Sequence, residues 1–173
     1  PEEAAPITAV SVTDGTIHKA VKGLKENDRI IIDAGGRDTE AFRSAMFAAD
    51  LVIIPLIPSP VDIWSSEDTL NVFTELSTVK EELEALIVFN MLPPLRNTNS
   101  LKEAFQETEK LLEKINTKNI KIANTDITER VVYREMLGLG ISVCEIEEKE
   151  KKYTAAQTEM RNLYKEIEGE EYE

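Results

Sequence analysis

The residues best suited to chemistry stand at the ends of hydrophobic runs. From Arg29 the chain reads Arg-Ile-Ile-Ile-Asp-Ala-Gly-Gly-Arg-Asp, a β-branched stretch that delivers Asp33 just ahead of two glycines. A carboxylate at the C-terminal end of a strand, beside glycines that permit close backbone approach, suits a group that orients a magnesium-bound water next to a phosphate. The same aspartate would equally serve as a cap of the following turn. A second run, Leu86-Ile87-Val88-Phe89, ends at Asn90. Its carboxamide has both a donor and an acceptor, as reading a purine edge requires. Ahead of Pro93-Pro94 it would also serve as a turn-former.

Short β-branched runs alternate with longer stretches of helical period, the pattern that builds a parallel sheet flanked by helices. Strands are expected at residues 7–12, 29–33, 51–57, 85–91 and 120–123. Three of them contain continuous apolar runs, as in central strands covered on both sides. Helices are expected at 16–24, 39–49, 65–82, 100–115, 129–137 and 149–168. Thr39, Ser65-Ser66 and Ser100 read as caps before acidic first turns. Gly138 and Gly140 end the fifth helix. In the last, Tyr153, Ala156, Met160, Leu163 and Ile167 form a docking stripe. Trp64 is expected to supply apolar area beside the next helix. The fold class is therefore α/β, a mostly parallel sheet with helices on both faces. Residues 1–168 read as one domain and 169–173 as a disordered tail.

Composition narrows the function. The chain has 173 residues, 42% hydrophobic and 31% charged, which are globular values. No run approaches the roughly 20 apolar residues of a membrane span, and the acidic start lacks the basic region of a signal peptide. A cytoplasmic protein without membrane attachment is expected. Cys144 and His18 are the single residues of their kinds, which excludes an internal disulfide and argues against a Cys/His zinc site. Any metal would be held by carboxylates. The net charge of −13 opposes the field of a nucleic-acid binder. Against that trend run Lys114, Lys118, Lys121, Arg130 and Arg134, either a local DNA contact or a solvated mixed-charge face.

The run ending at Asp33 has a Walker B pattern, and the residues beyond it lengthen the pattern: Asp38-Thr39-Glu40-Ala41, then Ala48-Ala49-Asp50-Leu51-Val52-Ile53-Ile54-Pro55-Leu56-Ile57-Pro58-Ser59-Pro60-Val61-Asp62. In these residues the sequence resembles the ParA/MinD family of deviant-Walker partition ATPases, and within it the plasmid ParA type. The resemblance implies a P-loop NTPase-like fold, ATP and Mg2+ as cofactors, and switching between an ATP-bound dimer and a free monomer. It makes Asp33 the catalytic residue that organises magnesium through water, and Asn90, at the end of Ile87-Val88-Phe89-Asn90, a contact to adenine. Thr128 and Glu129, in Ile127-Thr128-Glu129-Arg130, correspond to the family segment on the other side of the base. Asp62 would belong to the dimer surface. A homodimer, a ParB-like activator and non-specific DNA are the implied partners, in plasmid or chromosome partitioning.

The family's glycine-rich phosphate loop, Lys-Gly-Gly-x-Gly-Lys, is not found in this sequence; Lys22-Gly23-Leu24-Lys25 has neither its spacing nor its preceding strand. The chain thus reads as the C-terminal portion of such a protein, truncated at its N-terminus. Without that cradle it is expected to be inactive in ATP hydrolysis and to leave an apolar sheet edge uncovered. The competing reading is a degenerate ParA-like module that binds partners without nucleotide. A phosphate loop encoded upstream would decide for the ATPase. The acidic last helix disfavours MinD-like membrane targeting.

Overall fold

The structure, a computed structural model, describes residues 9–24, 29–35, 38–95, 98–146 and 153–169. Three parallel strands, β1 (Leu51–Leu56), β2 (Glu84–Phe89) and β3 (Ile120–Ile122), form a sheet in the order β1-β2-β3. The register pairs Leu51 with Glu84 through to Leu56 with Phe89, and Ala85 with Ile120. Around it run α1 (Ile17–Gly23), α2 (Glu40–Ala48), α3 (Pro60–Ser77), α4 (Asn99–Ile115), α5 (Val131–Leu139) and α6 (Thr154–Glu168). A 3-10 turn, Val143–Glu145, precedes α6. This is the expected α/β architecture. No helix among the described residues is long and apolar enough to cross a membrane.

Strand alternation sorts the two faces. Ile54, Leu56, Ala85, Ile87 and Phe89 face one way and pack with Met46 of α2, Ile63, Leu70 and Phe73 of α3, and Leu101 and Ala104 of α4. Phe89 meets Phe105 edge to face at 4.3 Å. Leu86 and Val88 face the other way, onto Met160, Leu163 and Ile167 of α6. Tyr153 and Ala156 continue that stripe onto Val132 and Met136 of α5, so the docking helix lies as its pattern requires.

Helix starts follow their caps, not always at the expected residue. Thr39 accepts from Phe42 N–H at 3.1 Å, as anticipated. The third helix begins earlier than Ser65, at Pro60, because Ser59 caps it and proline's fixed φ suits the first turn; Ser65 bonds back to Val61 inside the helix. Thr98, not Ser100, caps α4. Gly138 lies inside α5, and Gly140 ends it at φ 68°. Trp64 is 68% exposed, so it does not pack beside a neighbouring helix as expected.

The largest correction concerns residues 29–33. They run without regular structure, and Ile31 is 91% exposed, so this run is no central strand. A strand exists only where a neighbour completes its ladder, and none of the described strands pairs with this one. Arg29 instead lies over the Tyr164 ring, 5.4 Å from its centre, and pairs with Glu168. Residues 9–12 likewise form no strand, and 7–8 lie outside the described residues, as do 170–173 of the expected tail. Among the described residues β1 is consequently an edge of the sheet, not the central strand that its apolar run predicts, and Ile53 is exposed on its uncovered face. Its even-numbered backbone groups face β2, as Asn90 N–H on Leu56 C=O shows, so Pro55 lacks a donor on the outer side, where no β2 bond is lost.

Candidate functional site

The C-terminal ends of β1 and β2 open into a pocket of about 420 Å³ on the α6 side of the sheet. Ile53, Pro55, Val88 and Ile127 form apolar walls; Asn90, Thr128, Glu129 and Arg130 supply polar groups; Met160 and Leu163 close it from α6. Asn90, Thr128 and Glu129, the three residues assigned to the base, therefore share one cavity.

Backbone stitching explains the convergence. Past β2 the chain turns at Met91, which takes a left-handed φ of 56°. Asn90 Oδ1 accepts the Met91 N–H at 2.9 Å and so supports that unusual conformation. Leu92 then forms a parallel bridge with Thr128. Ile127 N–H donates to Phe89 C=O at 2.8 Å, Leu92 N–H to Ile127 C=O at 3.0 Å, and Glu129 N–H to Leu92 C=O at 2.8 Å. The 127–129 segment thus continues the sheet and is held beside Asn90 by main-chain bonds.

Sequence reasoning missed Glu159. It lies three residues after Ala156 and four before Leu163, an acid on the apolar stripe of α6, and that misplaced charge was the available signal. Its carboxylate accepts from Thr128 Oγ1 at 2.9 Å, Arg130 at 2.6 and 3.1 Å, and the Tyr133 hydroxyl at 3.0 Å. Burial pushes this carboxyl up, but the donors from Arg130, Thr128 and Tyr133 outweigh it and hold the group below the usual carboxylate range. Burial, then the same carboxylate, pushes the Tyr133 phenol up; the hydrogen bond to Glu159 raises Arg130.

Asp33 stands elsewhere. It is exposed in a second pocket of about 320 Å³, with Val12, Ile17, Thr39 and Phe42, and none of that lining is shared with the first pocket. Among the described residues no group of three or more acidic, His or Cys side chains is placed to hold a metal. A lone exposed carboxylate fits contact with Mg2+ through water and does not fit a direct ligand cage. For the adenosine part of ATP the fit is better: flat apolar walls with a few convergent polar groups suit a planar base.

The five basic residues divide between the two ends of the sheet. Lys114, at the end of α4, pairs with Glu67 at 2.5 Å, and Lys121 pairs with Glu84, at the start of β2, at 3.3 Å. Lys118 is exposed in the turn between them. Arg130 and Arg134 line the pocket at the opposite, C-terminal end. Asp62 accepts from Ser59 in the cap of α3.

No protein-family model matches the chain. It is similar to maintenance of carboxysome distribution protein A of Halothiobacillus neapolitanus, 28% identical over 101 residues, 58% of this chain. The matched part covers 43% of that relative, so the likeness concerns less than half of it. It supports the ParA/MinD-type resemblance in its coarse form.

Proposed function

We propose that this chain carries the base-binding side of a ParA-like ATPase, in which the pocket at the ends of β1 and β2 receives adenine. The observation that carries the reading is the meeting of Asn90, Thr128 and Glu129 in one cavity with apolar walls. Asn90 Oδ1 is engaged by Met91, which leaves the amide NH2 as the donor for a ring nitrogen. Thr128 and Glu129 border the same space from the stitched segment. Asp33, in its separate pocket, would contact magnesium through a water. Bound ATP and Mg2+ supply the transferable phosphoryl group and the neutralising charge. In the complete protein the nucleotide would drive dimer switching during partitioning or positioning of a cargo such as DNA.

The test is a nuclear magnetic resonance titration of the chain with adenosine, which needs no phosphate site. Backbone amides of Asn90, Met91, Thr128 and Glu129 should shift together, and Asn90→Ala should weaken binding by about fivefold, the share of one hydrogen bond. If these amides stay unmoved at saturating adenosine, the pocket is not a base site.

A further inference from the structure

Glu159 places a charge on the apolar face of α6, with only 14% of its side chain exposed. A carboxylate so placed is stable only where donors surround it. Those donors, Thr128, Arg130 and Tyr133, all line the pocket. They lie 31, 29 and 26 residues earlier in the chain, so one helix fixes a wall built from a distant segment.

We propose that Glu159 is the positioning residue of this pocket: it holds the Arg130 guanidinium as a fixed planar wall for a heteroaromatic ring and occupies one of its two donor edges. The inference deepens the base-binding reading and rests on it. A guanidinium binds phosphate through a fork of paired N–H groups. In Arg130, Nε and one terminal nitrogen already donate to Glu159, at 3.1 and 2.6 Å. With that edge held, the guanidinium is fixed in the pocket wall and offers a planar face on which a ring can stack, besides its free Nη1. Cancellation of the two charges also suits the pocket to a neutral ring. Thr128, whose hydroxyl donates to the same carboxylate at 2.9 Å, is fixed beside Arg130 by the same contact. Arg130 accordingly departs from the other candidate DNA residues and belongs to recognition of the base.

The experiment tracks two signals in the full chain: the side-chain Nε–Hε resonance of Arg130, and amide shifts on adding adenosine, a neutral probe whose binding is insensitive to a simple change of net charge. In the unaltered chain the Nε–Hε proton should exchange slowly. Glu159→Gln should abolish that protection and lower adenosine affinity by about fivefold or more. Arg130→Lys leaves α6 intact and keeps the charge, yet loses the planar group; it should lower adenosine affinity similarly, which decides the matter if Glu159→Gln does not fold. Two results would overturn the inference: an Arg130 Nε–Hε that stays protected in Glu159→Gln, or adenosine affinity unchanged in Arg130→Lys. If the unaltered chain itself ignores adenosine, the base-site reading fails first, and the recognition role of Glu159 fails with it.

Discussion

Replacing Arg130 by Ala tests the electrostatics of the pocket through stability alone. Glu159 then keeps its bonds from Thr128 and Tyr133 but loses its charged partner, while its side chain stays only 14% exposed. Removing one member of a fully buried ion pair costs about 3–5 kcal/mol. Arg130, with a third of its side chain in solvent, brings the expectation down to about 2 kcal/mol. For a chain of this length that lowers the melting temperature by about 4–8 °C at neutral pH. Adding Glu159→Gln removes the unpaired charge and retains an acceptor for Thr128, so the double variant should recover about 2–4 °C. The pH dependence has a definite sign. Because folding holds the Glu159 carboxyl below its ordinary range, its stabilisation is complete above the unfolded value near about 4.3 and disappears as pH falls through the folded value. The gap between the unaltered chain and Arg130→Ala should therefore close on acidification from about pH 7 to pH 3. Thermal melts monitored by circular dichroism measure it. A gap that is absent at neutral pH, or equally wide in acid, would refute the account.

Three further outcomes are expected. Phe73, fully buried between α3 and the sheet, should cost about 3–5 kcal/mol when changed to Ala, read as a lower denaturant midpoint. The chain itself should bind ATP no tighter than about 1 mM and show no magnesium-dependent hydrolysis above background, whereas a micromolar dissociation constant would reveal a phosphate site on the described surface. If the proposed ATPase is assembled with a phosphate-binding loop, Asp33→Asn should reduce its turnover by at least about 100-fold with little change in melting, since Asp33 is exposed; undiminished turnover would return it to the role of a turn residue.

The elements whose burial is local in cause were readable from the order of residues alone. The run Leu86-Ile87-Val88-Phe89 is apolar because helices cover both faces of β2, whereas β1 is covered on one face and Ile53 is open on the other; the stripe on α6 reflects the period of a docking helix. Asn90 stands out at the end of its apolar run, Thr128 and Glu129 only through a resemblance, and no spacing in the chain foretells that the three meet. Their meeting depends on the Leu92–Thr128 bridge, a pairing between segments far apart in sequence. Pairing also decided the case of residues 29–33, since Ile30-Ile31-Ile32 has the composition of a central strand whether or not a neighbour is present. The neighbour is a property of the tertiary structure, and without one Ile31 stands in solvent. Glu159 shows the same division: its place on the stripe was visible, but a buried charge is tolerable only where distant donors converge, and that convergence exists only in the folded chain.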